Sequence, residues 1–348
     1  MKKTFMIALI VLAFAGQTML ATAGEAAPPS KQALKLMKKA QKAIEAKEFD
    51  KATEFYQQVI EMEAEYAEAR FALGRLQLAQ NQLEPGEDNL KKALELDPGH
   101  TEAAKLMARL LFSKGQQFQQ QRNVEEANQC FRQLIDLPNI AELDRTHLGQ
   151  SLYQLGVNLY TRKNFAESTE YLKKFQQLPM AQTEFAPIFP ASNYIIGLNY
   201  SQQKDYEASN EYLSTYIDAR QDAENDQLLP LAHFVIASNN FQVMEAEAEP
   251  IRKDKEAKDL KEKLAAVAAK FQDAIVPHLE KAIELKVDLE PAYLTLGNFY
   301  YYKNDRQKTV ETYEKMISLF PDSPDKARYE KFLDDVKKEI AALEKTSK

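Results

Sequence analysis

The chain is 348 residues long and 45% apolar, with a formal net charge of −7 and a mean hydropathy of −0.50. That acidic balance excludes the basic surface a phosphate backbone demands, so nucleic acid is not expected as a partner. The single cysteine, Cys130, excludes an intramolecular disulfide and reads as a small buried hydrophobe.

At the start of the chain, Lys2 and Lys3 precede an apolar run from Phe5 to Ala15, and Ala21-Thr22-Ala23 offers a small-x-small cleavage site. Residues 1–23 are therefore expected to be a secretory signal peptide of bacterial appearance, and 24–30 a flexible leader. Cleavage would leave 43 basic against 52 acidic groups, a net charge of −9. The residue directly after the cleavage point is Gly24 and not a cysteine, so no lipid anchor is expected. The competing reading is an uncleaved anchor, since Phe5 to Ala23 is just long enough to span a bilayer. The expected location is periplasmic or secreted, with membrane contact only through the signal segment if it is retained.

From residue 31 onward one pattern recurs seven times: a large residue, then a small one four places on. The small places are Ala40, Gly74, Gly115, Gly156, Gly197, Ser238 and Gly297. Glycine inside a helix costs roughly 1 kcal/mol relative to Ala, so its recurrence needs a packing reason, which is the close approach of another helix. Twelve residues further on stand Ala52, Gly86, Ala127, Ser168, Ser209 and, in the last unit, Thr309. Four beyond those come Tyr56, Leu90, Phe131, Leu172, Leu213 and Tyr313. Small then large, one turn apart, is how two antiparallel helices interlock. Pro98, Pro138, Pro179 and Pro321 close units, because proline cannot continue a helix. The segment 325–344 places Tyr329, Phe332, Leu333, Val336, Ile340 and Leu343 on one face and reads as a capping helix.

This pattern resembles the tetratricopeptide repeat, whose fingerprint runs W-x2-L-G-x2-Y…A-x3-F…P. Leu73-Gly74, Gly86, Leu90, Ala93 and Pro98 carry the likeness in one unit, and Leu296-Gly297, Tyr300, Tyr313 and Pro321 in another. Two features depart from it. No Trp is present, its place being taken by Leu36, Arg70, Leu111, Leu152, Asn193, Phe234 and Tyr293, and the small places are spaced 34, then 41 four times, then 59 residues apart. Seven extra residues are two helical turns, which predicts lengthened first helices in the middle units. The resemblance implies an all-α, right-handed superhelical solenoid of about seven antiparallel helix pairs over residues 31–348.

In that arrangement the first helix of each pair lines a concave groove. The inward stripe carried over onto this chain includes Phe71, Arg75, Phe112, Gln116, Tyr153, Tyr160, Tyr194, Asn239, Asn298 and Tyr301, expected as partner-binding residues. Aromatics mixed with amides and little charge suit an extended peptide. The bland alternative is that half of these side chains pack between neighbouring units. A carboxylate clamp, known in some family members, is not supported, because of its five matching places (Met37, Gln41, Ala72, Arg109 and Ser113) only Arg109 would serve.

Catalytic chemistry is absent from the sequence. His100, His147, His233 and His278 stand far apart in the chain, with no H-E-x-x-H or other metal-ligand spacing. There is no nucleophile elbow, phosphate loop or dinucleotide fingerprint. No catalytic residue, metal or cofactor is expected, and the chain is not expected to be an enzyme. Two segments are irregular. Thr183 to Pro190 is an apolar, proline-bearing loop expected to fold back on neighbouring helices. The segment 245–263, in which 13 of 19 residues are charged, reads as a solvated extension of both helices of the sixth pair, with a docking arm as the minority reading. The sequence thus points to a non-catalytic protein–protein interaction scaffold of the bacterial envelope. The alternative is a small-molecule or glycan-binding module that uses the same aromatic groove.

Overall fold

The computed structural model describes residues 28–223, 225–254 and 259–346, so the expected signal peptide and most of the leader lie outside the described residues. Every regular element among the described residues is a helix. The chain divides into two compact units, residues 1–107 and 108–348.

The first unit holds α1 (Lys31–Glu45), α2 (Phe49–Met62), α3 (Ala67–Ala79) and α4 (Leu83–Leu96), two antiparallel pairs. Ser30 caps α1 by accepting from the Ala33 amide, and its own amide donates to Glu63. Ala40, Ala52, Tyr56, Leu73 and Leu76 form the core between the pairs. At Gly74 the nearest neighbour is backbone: a Cβ there would stand 2.9 Å from the backbone carbonyl oxygen of Gly86. Backbone cannot rotate away, which is why glycine occupies this place.

Helix α5 (Thr101–Gln120) begins in the first unit and ends in the second. The second unit continues with α6 (Val124–Ile135), the single turn α7 (Ile140–Leu143), α8 (Arg145–Thr161), α9 (Phe165–Gln176), the single turn α10 (Ala181–Glu184), α11 (Phe189–Gln202) and α12 (Tyr206–Arg220). Then come α13 (Leu229–Lys253), α14 (Leu260–Leu285), α15 (Glu290–Tyr302), α16 (Arg306–Leu319) and α17 (Lys326–Thr346). The second helix of each pair packs on the first helix of the next, α6 on α8, α9 on α11, α12 on α13 and α14 on α15, and α17 closes the series on α16.

Six of the pairs turn in one way. Lys47, Asn81, Arg122, Lys163, Lys204 and Asn304, each seven residues after its small place, are left-handed with φ between 61° and 64°. The next amide then reaches back five residues, Glu48 to the Ala43 carbonyl at 2.8 Å and Asn164 to the Leu159 carbonyl at 2.9 Å. This is the Schellman closure, made here without glycine. The sixth pair lacks it because α13 runs on to Lys253.

Three expectations need correction. The seven extra residues lengthen the first helix fully only in α5, which has 20 residues against 13 in α3. In the next two units Pro138, Pro179, Pro187 and Pro190 forbid a continuous helix, so part of the excess goes into α7, α10 and the loop to α11. Phe185 of that loop is buried, its ring so close to Gly149 that a Cβ there would meet it at 2.4 Å.

The second correction concerns register. In the sixth unit the buried small residue is Ala237, 0% exposed, while Ser238 is only half-buried. Asn239 therefore stands two residues after the small place, as Asn158 and Asn199 do. All three are buried and bond back to the preceding pair. Asn158 donates to Asn128 at 2.7 Å, Asn199 to Ser168 at 2.9 Å, and Asn239 to Ser209 at 2.8 Å and Asn210 at 2.9 Å. The bulky place four residues before Ala237 is then His233, not Phe234.

Third, two histidines far apart in sequence meet. His233 of α13 and His278 of α14 stand with their Nδ1 atoms 2.9 Å apart.

Residues 245–253 complete α13, and α14 opens at Leu260, so all of the described charged segment except the flanking Asp254 and Asp259 belongs to two long helices. Tyr302 anchors it. The Tyr302 hydroxyl donates to Glu245 at 2.9 Å and accepts from Arg252 at 2.6 Å, and its ring meets Phe241 edge-on.

Candidate functional site

The stripe expected to line a groove lies on the first helix of each pair, and its residues divide by burial. In the first unit Phe71 is 6% exposed and packs on the His100 ring at 4.6 Å, with the Arg75 guanidinium over its own ring at 5.5 Å. Arg75 itself is exposed. His100 accepts from the Ala103 amide at the start of α5 and contacts Glu68 at 3.1 Å, so its ring is fixed from both nitrogens.

In the second unit Phe112 is buried between Phe131 and His147, and His147 is held by Asp144 at 2.7 Å. Gln116, one turn on, is exposed. Tyr153 and Tyr160 are half-buried. Tyr153 leans on Phe175 at 5.6 Å and Tyr160 on Phe165 at 6.1 Å, and burial pushes both hydroxyls above their usual pKa. Tyr194 is buried on Tyr216 at 5.2 Å, and burial pushes its hydroxyl up to about 12.

Asn239 is 2% exposed, with its amide nitrogen donating to Ser209 and Asn210 and its oxygen accepting from Ser201 at 2.7 Å. Asn298 is half-buried and accepts from the Tyr313 hydroxyl at 2.7 Å. Tyr301 packs on Phe332 of α17 at 5.1 Å, under the Arg306 guanidinium at 4.1 Å, and its hydroxyl points at Glu339.

Phe71, Phe112, Tyr194 and Asn239 are therefore corrected from groove-lining to packing residues. Phe112 and Tyr194 pack on rings of the following helix, Phe131 and Tyr216, Phe71 packs on His100 just before α5, and Asn239 is consumed by the buried polar ladder after the one-residue register change. With Ala237 as the small place, the inward stripe of the sixth unit becomes Phe234, Ser238 and Phe241. The half-exposed part of the stripe in the second unit includes Tyr153, Val157 and Tyr160 of α8, Leu198 of α11, Phe234 and Ser238 of α13, and Asn298 and Tyr301 of α15. It carries no charged side chain.

A separate cleft of about 480 Å³ lies between α14, α15 and α16, floored by Ile283, Tyr293, Leu296 and Tyr300 and walled by Glu280 and Lys315 among others. None of its lining residues belongs to the stripe. No group of three or more metal-ligating side chains and no helix long and apolar enough to cross a membrane occurs among the described residues.

Residues 43–110 and 291–323 match models of the tetratricopeptide repeat. No curated protein matches the chain. Among solved structures, the chain is similar to the C-terminal part of a TPR repeat-containing protein from Cytophaga hutchinsonii, at 15% identity over 84% of this chain and 98% of that one, with a TM-score of 0.40. It is also similar to pilF of Pseudomonas aeruginosa, at 17% identity over 77% of this chain and 97% of that one, TM-score 0.39. A third similarity is to the Cut9–Hcn1 hetero-tetramer of the APC/C, at 13% identity over 87% of this chain and 48% of that one, TM-score 0.41.

Proposed function

We propose that the protein is a non-catalytic interaction scaffold of the bacterial cell envelope, exported by its N-terminal signal, and that it binds an extended peptide or a segment of a partner protein. Tetratricopeptide repeats generally serve as protein-binding scaffolds, which supports the coarser part of this reading. The observation that carries the finer part is the uncharged strip formed by Tyr153, Val157, Tyr160, Leu198 and Phe234 on the first helices of the second unit. Its two tyrosines are braced by Phe175 and Phe165 beneath them. A braced ring offers apolar area and a hydroxyl at little further entropic cost, as binding hot spots require.

Peptide arrays panned against the purified protein, followed by fluorescence anisotropy on the best binder, test this. Tyr153→Ala and Tyr160→Ala should each weaken binding about tenfold or more, the scale of an interface hot spot, with helicity unchanged. Because the strip is neutral, affinity should depend only weakly on salt. Unchanged affinity in both variants, or a steep fall between low and physiological salt, would move the contact elsewhere, to the charged ends of α13 and α14.

A further inference from the structure

His233 occupies the place in the sixth unit where the repeat puts its bulky interhelical residue, and what it meets across the pair is His278. The two rings come from antiparallel helices, and their centroids are 5.1 Å apart with 43° between planes. Both side chains are half-buried, so one side of the pair is packed and the other reaches solvent.

We propose that His233 and His278 form a binding site for a borderline divalent cation of the zinc class, held through the two Nδ1 atoms with water in the remaining positions. Two imidazoles bound at a tetrahedral angle with Zn–N bonds of about 2.0–2.1 Å place their ring centroids about 5.2 Å apart and their donor nitrogens about 3.4 Å apart. The helices already hold the centroids at that separation. Only the nitrogens, now 2.9 Å apart, must part, by about 0.5 Å.

Protonation favours the same chemistry. Burial pushes both imidazoles below their ordinary pKa, His233 to about 4, with His278 and Lys281 adding to its shift. Neutral imidazole is the liganding form, so at neutral pH no charge has to be removed first. In the hydrogen-bonded pair one ring carries its proton on Nδ1 and donates to the bare Nδ1 of the other. On metal binding that proton leaves Nδ1 and the same ring takes one up on Nε2, so both Nδ1 lone pairs become available and no net proton is released.

The nearby Lys281 ammonium, itself ion-paired with Glu284 at 2.8 Å, opposes any cation by simple charge. That repulsion is the same for every divalent ion; the choice among them comes from the two imidazole nitrogens, which favour zinc-class ions over Mg²⁺ and Ca²⁺, whose preferred ligands are oxygens.

Zinc chloride titrated calorimetrically into the purified protein at neutral pH should fill one site per chain, with no dependence of the heat on the ionisation enthalpy of the buffer. Cobalt in its place should give the intense visible bands of tetrahedral coordination. His233→Gln and His278→Gln should each weaken binding at least tenfold. Since either variant could loosen the α13–α14 pair, the wild-type protein supplies an independent readout. One equivalent of zinc should shift the imidazole resonances of His233 and His278 and leave those of His100 and His147 in place. Saturable binding that survives in the double variant, shifts at His100 or His147 instead, or imidazole resonances that do not move at all would overturn the assignment.

Discussion

Gly156 is the place where the repeat architecture makes its sharpest quantitative claim. Gly→Ala in a helix interior ordinarily stabilises by about 1 kcal/mol. Here the added Cβ would stand 2.5 Å from Cγ and 2.7 Å from Cδ2 of Leu172, and Leu172 is 0% exposed, so it cannot swing out into solvent. Overpacking costs about 1–3 kcal/mol, enough to cancel the helical gain and reverse its sign. Gly156→Leu should cost more than Gly156→Ala. Leu172→Ala alone should cost about 2–5 kcal/mol through the cavity it leaves between α8 and α9. In the double variant Gly156→Ala/Leu172→Ala the new methyl group points into that cavity, so the combined loss should fall short of the sum by about 1 kcal/mol or more. Urea unfolding followed by far-ultraviolet circular dichroism measures all four corners of the cycle. Additivity within about 0.5 kcal/mol, or a gain in stability for Gly156→Ala, would refute the claim that this glycine exists to admit Leu172.

Two further predictions concern the turns and the histidine pair. Lys163→Gly should raise the melting temperature, because Lys163 is left-handed at φ 62° and only glycine takes that conformation without strain; Asn81→Gly should gain less, since asparagine already tolerates it. A lower melting temperature for Lys163→Gly would mean that the lysine side chain contributes something the turn geometry does not reveal. Stability should fall as pH drops from about 6.5 toward 4, because His233 has a folded pKa of about 4 and the unfolded chain therefore binds the extra proton first. Above that window the contribution is constant, and His233→Gln should flatten the dependence; a profile identical to wild type would place the titration elsewhere.

The helix pairs were legible because their signal is redundant. A small residue, a second small one twelve places later and a large one four beyond that mark each interlock three times over, and the structure puts Leu172 on Gly156, Leu213 on Gly197 and Tyr313 on Gly297. The sixth unit shows the limit of this signal. Ala237 and Ser238 are adjacent and both small, so size alone does not choose between them, and a constant spacing of 41 favoured the wrong one. The discriminating mark is the asparagine two residues on, matched 30 or 31 residues earlier by Asn128, Ser168 or Ser209. The stripe was legible in position but not in exposure. Whether a ring at that place is presented or packed depends on which side chain lies over it. For Phe71 that is His100, at the head of α5, and for Tyr194 it is Tyr216, on the second helix of its own pair, neither of which the small–small–large spacing marks. His233 and His278 met for the same reason, since 45 residues of α13, α14 and their connection separate two neighbours in space.

Beneath the half-exposed strip of the second unit lies the row of buried asparagines, and the two belong to one design. Asn158 and Asn199 are each fixed to the preceding pair, and Ser168, which accepts from Asn199, also donates to the Gly156 carbonyl at 2.7 Å. A buried amide left without partners costs about 1–3 kcal/mol, so sliding one pair against its neighbour is penalised sharply rather than gradually. Apolar packing alone, through Leu155, Ile196 and Leu213, would tolerate such sliding with smaller cost. Tyr153, Val157 and Leu198 are mounted on the same helices that the asparagines lock, so the separation between successive strip residues is fixed before any partner arrives. On the proposed peptide-binding reading, a partner segment would meet a surface whose spacing is already set, and the ordering cost that usually erodes affinity would be met within the fold.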